Sequence, residues 1–321
     1  MTREVVVDLS AVVLALAPEE DRRGAHAAVL VTEDFRLPTV TFDPDGQRTL
    51  ELTLRAAVRT TTGLQLGYVE QLYTFGDSAR RGDGDKAPGD GAEESRSHTV
   101  SIGYLALAQR PGPPPDGHLW ARWDRFFPLE DRRPPAPPLD PIAAALAAWA
   151  GGDQTRIDRA AACLGRGDAP WHDAMCLDRY QLLYEAGLVA EAWRDRSLPP
   201  PAAMPATGRS MWRDHRRILA TGIARLRGKL KYSPVLFELM PPTFTLLELQ
   251  RAAEAVQGVP LHKQNFRRLV ERSGLVEATG AMSAAKGGRP AAEFRFTADA
   301  GWERIMTPVR FGGARKVSPE S

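Results

Sequence analysis

The segment Thr245-Leu246-Leu247-Glu248 constrains the fold of this chain more than any other stretch. A threonine three residues ahead of a glutamate, followed at once by apolar residues, reads as a capping box. The hydroxyl satisfies a free N–H at the helix start, and the carboxylate reaches back to the cap residue's own N–H. Leu246, Leu249, Ala253 and Val256 then fall on one side, and Gly258 supplies a stop. A turn at Val259-Pro260 leads into Leu261-His262-Lys263-Gln264-Asn265-Phe266-Arg267-Arg268-Leu269-Val270-Glu271, in which Phe266, Leu269 and Val270 can face inward. Helix, tight turn and second helix form the grammar of a helix-turn-helix. Residues 275–277 and 293–296 read as short strands around Lys286-Gly287-Gly288-Arg289-Pro290, and a basic, glycine-rich turn between paired strands is a wing.

The inward residues leave Lys263, Gln264, Asn265, Arg267 and Arg268 for the flanks and exposed face of the second helix. Gln and Asn can pair bidentately with adenine and Arg with guanine in a groove wide enough for a helix, while Lys and the remaining Arg suit phosphates. With Thr245, His262, Lys286 and Arg289 they form the candidate DNA-binding set. A solvated surface helix would carry the same residue types, so the wing and the charge distribution weigh in the choice. The formal net charge of +2 is uninformative, but residues 209–321 hold 20 Lys+Arg against 10 Asp+Glu, leaving 22 against 30 in residues 1–208. An acidic front and a basic back suit a protein whose C-terminal part meets a polyanion.

With 321 residues and 43% hydrophobic content, two domains with separate cores are expected. Residues 5–16 and 26–32 read as strands, residues 50–61 as a helix with Gly63 behind it, and residues 65–75 and 99–108 as further strands. Residues 80–97 are charged, glycine-rich and nearly without apolar side chains, the composition of a long surface loop. Five prolines between 134 and 141 make a stiff connector, residues 142–194 are helical in composition, and residues 213–231 read as a linking helix. Its apolar side is Leu219, Ile223, Leu226 and Leu230, and its opposite face carries Arg217, Arg225 and Lys229. The expected division is a sensor domain over 1–133, a connector over 134–231, a winged helix over 232–310 and a tail over 311–321. Cys163 and Cys176 form no CxxC and read as reduced thiols. Neither a signal peptide nor a membrane-length apolar run is legible, so a cytoplasmic location without membrane contact is expected.

Over nearly its whole length, and most specifically in two stretches, the chain resembles the Nudix-related transcriptional regulators of NAD metabolism, the NrtR-like family, and in particular its alphaproteobacterial NAD-biosynthesis regulators. One runs from Lys231-Tyr232-Ser233-Pro234 through Phe237-Glu238-Leu239-Met240-Pro241-Pro242 into the helix-turn-helix and on to Gly288-Arg289-Pro290. The other is Leu66-Gly67-Tyr68-Val69-Glu70-Gln71-Leu72-Tyr73-Thr74-Phe75-Gly76-Asp77. The resemblance implies a Nudix-like α/β/α sandwich that senses NAD, ADP-ribose or ATP, followed by a helical connector and a C-terminal winged helix-turn-helix. It further implies a homodimer that represses genes of NAD synthesis through operator DNA.

A working Nudix box, G-x5-E-x7-R-E-U-x-E-E-x-G-U with U aliphatic, gathers carboxylates on one helix to hold divalent metal against a pyrophosphate. Anchored on Gly63-Leu64, the box finds Ala56 for its arginine, Ala57, Thr60 and Thr61 for its glutamates, Arg48 for the upstream glutamate and Phe42 for the opening glycine. Glu51 alone does not make a multi-metal site. No catalytic residue, metal or cofactor is therefore expected. An emptied box still leaves a fold able to bind a nucleotide, with Arg55 or Arg59 for phosphate and Tyr68, Tyr73 or Phe75 for the base, although these aromatics also suit a sheet core. Asp77 is a candidate for the pocket lip. The alternatives are a Nudix pyrophosphohydrolase with rearranged metal ligands and, further off, an RNA-binding protein.

Overall fold

The computed structural model describes residues 5–18, 24–46, 48–76, 98–109, 112–231, 233–283 and 290–297. Its N-terminal part builds one mixed sheet from β1 (Val5–Pro18), β2 (Ala25–Thr32), β3 (Thr39–Thr41), β4 (Val69–Phe75), β5 (His98–Leu107) and β6 (His118–Arg122). The strand order is β4-β5-β1-β2-β6, with β3 also paired to β1; β1 and β5 are parallel and the remaining pairs antiparallel. Side chains of β1 alternate as a pleated strand requires: Leu9, Ala11, Val13 and Ala15 enter one core, Val12 and Leu14 the other. A central strand apolar on both faces must be covered on both.

The first cover is α1 (Leu50–Thr62), whose start is capped by the Thr49 side chain accepting from Leu52 N–H (3.3 Å) and whose end is the left-handed Gly63 (φ 69°). The helical connector follows as α2 (Asp140–Ala150), α3 (Gln154–Leu164), α4 (Cys176–Glu185) and α5 (Ala190–Arg194). The second cover is α6 (His215–Lys229). It was expected as a link between domains. It instead lies on the sheet, with Ile218, Leu219, Ile223 and Leu226 fully buried, and so completes an α/β/α sandwich from beyond the proline-rich stretch. Gly222 permits that approach, because a Cβ there would stand 2.9 Å from a Val12 methyl. Arg216 and Arg227 on the same helix are also buried, which its basic composition did not suggest.

The C-terminal part comprises β7 (Phe244–Thr245), α7 (Leu246–Gln257), α8 (Lys263–Ser273), β8 (Val276–Met282) and β9 (Ala292–Phe296), with the three strands ordered β7-β9-β8. The two-residue β7 was not anticipated; it exists because β9 pairs with the chain just ahead of the helix cap. This module rests directly on the sandwich. α7 packs against β2, and the Arg251 side chain fills the space beside Gly24, where a Cβ would stand 2.6 Å from its Cδ.

Candidate nucleic-acid interface and sensor sites

The capping box is formed: Thr245 Oγ1 accepts from Glu248 N–H (3.2 Å), and Glu248 Oε2 accepts from Thr245 N–H (2.8 Å). The Thr245 hydroxyl also meets that carboxylate at 3.0 Å and is 8% exposed, so its side chain serves the helix start rather than an outward face. Two bonds close the turn between α7 and α8. Gln250 Nε2 donates to Leu261 C=O (3.1 Å), and Leu261 N–H donates to Glu254 Oε1 (2.9 Å). These polar clasps are partly buried and were not read from the sequence.

Phe266 and Val270 anchor α8, and His262, Lys263, Gln264, Asn265, Arg267 and Arg268 are all exposed. The 3.6-residue period sets Gln264 and Arg268 opposite the buried pair, with Lys263 and Arg267 together on one shoulder and Asn265 on the other. Arg272 joins the outward row and was missed, although its position four residues after Arg268 carries the signal. Arg268 Nη2 lies 3.4 Å from Asn265 Oδ1, a contact that braces the outward guanidinium. Lys286 and Arg289, expected in the wing turn, lie outside the described residues. The strands flanking it are present and longer on the β8 side than expected.

The five described candidates for nucleotide contact do not converge. Arg55 belongs to α1, where its guanidinium donates to Glu51 Oε1 (2.8 Å), Leu66 C=O (2.6 Å) and Gly67 C=O (3.1 Å), tying the helix to the chain after it. Arg59 sits exposed on the last turn of α1. Tyr68 and Phe75 pack on the opposite face, in the core beneath α6. Tyr73 is 56% exposed at the edge strand, with Arg225 5.9 Å from its ring. Asp77 lies outside the described residues. The split follows from the pleat and from a register shift in β4 between Gln71 and Thr74.

Tyr68 is part of a charged clasp instead. Its hydroxyl donates to Glu70 Oε2 (2.5 Å), Arg225 Nη1 donates to Glu70 Oε1 (2.8 Å), and Lys229 Nζ stands 3.3 Å from Glu70 Oε2. Burial alone would raise the Glu70 carboxyl, but these donors outweigh it and hold it below the usual range. At the Nudix-box positions, Thr61 Oγ1 donates to Ala57 C=O (2.9 Å) and Thr62 Oγ1 to Val58 C=O (2.5 Å), so these hydroxyls are bound to their own helix. Among the described residues no cluster of three or more His, Cys, Asp or Glu side chains is placed to share a metal ion. Cys163 and Cys176 are free and buried.

Between sandwich and C-terminal module lies a buried ion-pair junction. Glu130 accepts from Arg179 Nε (2.6 Å) and Nη2 (2.8 Å) and from Arg227 Nη1, and all three side chains are no more than 2% exposed. Arg227 also donates to Glu130 C=O (2.8 Å) and, across the junction, to Val256 C=O of α7 (2.7 Å). Arg132 N–H donates to Gly258 C=O (2.6 Å) beside them. A fully buried cation is tolerated only when paired and hydrogen-bonded, so this cluster fixes one arrangement of α4, α6 and α7.

A capped helix-turn-helix closed by a three-stranded antiparallel sheet defines the C-terminal module as a winged helix. Residues 236–296 match the NrtR DNA-binding winged helix domain. The ADPR responsive transcriptional repressor NtrR of Acinetobacter baylyi is 45% identical over 83 residues, which are 26% of this chain and 33% of that protein. The match therefore spans about a third of the relative's length. Among solved structures, Shewanella oneidensis NrtR aligns with 94% of this chain and 95% of its own at 18% identity and a TM-score of 0.49. The same protein in complex with a 27mer DNA aligns over 92% and 94% at 20% identity and a TM-score of 0.46.

Proposed function

We propose that this chain is a nucleotide-responsive transcriptional repressor of NAD-biosynthesis genes, with 232–310 as its DNA-binding domain and the sandwich as a non-catalytic sensor. The observation that carries this reading is the outward row of Gln264, Arg268 and Arg272 on an α8 that is held by a capped helix and a wing sheet. Gln264 and Arg268 are the base readers, and Lys263 and Arg267 hold phosphates from the shoulder. In a homodimer two such helices reach half-sites about 34 Å apart, one DNA turn. The relative named as ADPR-responsive supports ADP-ribose as the first effector to test, with NAD and ATP beside it. No helix of the described residues is long and apolar enough to cross a membrane, which suits a DNA-bound protein.

The signal travels through contacts rather than through a flexible link. The Glu130 cluster touches α4, α6 and α7 at once, so a nucleotide that shifts the sandwich biases how the winged helix is held. An electrophoretic shift with operator DNA from upstream of NAD-biosynthesis genes tests the proposal, run with and without ADP-ribose, NAD and ATP. Binding that one nucleotide changes is expected, and Arg268→Ala should weaken it by about 1–3 kcal/mol, roughly 5- to 150-fold. No shift at any protein concentration would overturn the regulator reading. Release of AMP from ADP-ribose with Mg²⁺ would overturn the non-catalytic one.

A further inference from the structure

Three non-glycine residues among those described have positive φ, and two of them, Phe35 (φ 62°) and Arg213 (φ 42°), belong to one surface patch. A bulky residue in the left-handed region is strained, and such strain gathers where a ligand is clamped. The Phe35 turn closes through its N–H to Thr32 C=O (2.9 Å), and Leu37 N–H donates to the buried His215 Nδ1 (2.8 Å), pinning the loop to the start of α6. Phe126 meets the Phe35 ring edge-on at 5.9 Å. The Arg125 and Arg209 guanidinium carbons lie 4.5 and 4.0 Å from the centre of the same ring, and Arg209 N–H donates to Arg125 C=O (2.9 Å). Next to them Trp212 carries Arg36 at 4.7 Å and Arg213 at 4.3 Å.

Charge at this patch is unbalanced. Asp34 pairs with Arg36, but among the described residues the exposed Arg125 and Arg209 guanidiniums have no carboxylate or carbonyl partner. The start of α6 lies in the same patch, with Asp214 as its N-cap residue and no side-chain cap bond. The buried His215 reports this environment: burial first, then the nearby Arg36 and Arg213, push its pKa down to about 3.

We propose that Phe35, Arg125 and Arg209 form a binding site for a diphosphate group, on the side of the sheet covered by α6 and separate from α1. Stacking on one ring fixes both guanidinium planes, so little rotamer freedom is lost on capture, and it leaves their N–H edges for bidentate bonds to phosphoryl oxygens. Both guanidinium carbons lie within 4.5 Å of one ring centre and so no more than about 8.5 Å apart, a span that two linked phosphoryl groups can bridge and a single carboxylate cannot. The site does not depend on the DNA-binding reading.

Isothermal titration of the full chain with sodium diphosphate at fixed ionic strength tests it. Saturable binding is expected for the unaltered chain, and Arg125→Gln with Arg209→Gln should weaken it at least tenfold; Arg209→Gln alone should give an intermediate loss. Arg156→Ala with Arg166→Ala, two exposed arginines of the helical connector, should leave the affinity unchanged. Heats that never saturate, equal affinity in the Arg125/Arg209 variant, or an equal loss in the Arg156/Arg166 variant would each overturn the site. Adding ADP-ribose separates the sources. Competition that the Arg125/Arg209 variant abolishes assigns the site to a nucleotide's diphosphate, and saturable diphosphate binding without competition assigns it to the free anion. The operator shift is a separate readout, so failure of one reading leaves the other standing.

Discussion

Replacing Glu130 with Gln tests the junction between sandwich and winged helix. The carboxylate is 2% exposed and is the only acid bonded to Arg179 and Arg227 among the described residues. Gln retains the shape and one acceptor oxygen but leaves two buried guanidiniums without countercharge. Breaking a buried pair in this way costs about 3–5 kcal/mol, a large part of a typical total stability of about 5–15 kcal/mol. At about 2–4 °C per kcal/mol for a chain of this size class, the melting temperature should fall by roughly 6–20 °C. Burial on its own pushes the Glu130 carboxyl up; Arg179 and Arg227 outweigh it and hold the group below the usual carboxylate range. A depressed acid contributes stability that is present above its unfolded pKa of about 4.3 and lost as pH falls through the folded value. The unaltered chain should therefore shed this contribution below about pH 4, and the Gln variant should not. Thermal unfolding followed by circular dichroism from pH 3 to 7.5 measures both. A melting temperature within about 2 °C of the unaltered chain at pH 7.5, or the same acid limb in both proteins, would refute the reasoning.

Other outcomes follow from single contacts. Gly258→Ala places a Cβ 1.8 Å from Glu130 C=O at φ 70°, whereas Gly63→Ala at φ 69° meets nothing within 4 Å. Denaturant titration should find a loss of about 1–2 kcal/mol at Gly63 from backbone strain alone, and about 1–3 kcal/mol more at Gly258. Thr245→Ala removes the α7 cap and should cost about 1 kcal/mol by the same assay. His215 has a folded pKa lowered to about 3, below its unfolded value, so its contribution is complete above about pH 6.5 and falls as pH drops toward 3. His215→Gln, which keeps an acceptor for Leu37 N–H, should flatten the stability profile between pH 6.5 and 4.

Legibility differed between the two halves for a physical reason. The capping box, the α8 frame and the exposed polar set were readable because each rests on residues three or four apart in one helix. The α1 frame was readable for the same cause, down to its left-handed Gly63. The placement of the candidate nucleotide contacts was not. Arg55 and Tyr68 are 13 positions apart and land on opposite faces of a sheet whose register shifts within β4. No local pattern encodes which face a later helix will cover.

From the sequence alone came the winged helix, the emptied Nudix box and the resemblance to NrtR-like regulators, all of which depend on residue identity at short spacing. Tertiary structure alone decided that α6 is a layer of the sandwich, that Arg179, Arg216 and Arg227 are interior, and that Phe35 is clasped by Arg125 and Arg209. An arginine reads as a surface residue until its partner is known. Glu130 lies 49 positions from Arg179 and 97 from Arg227, and only the folded chain brings them together.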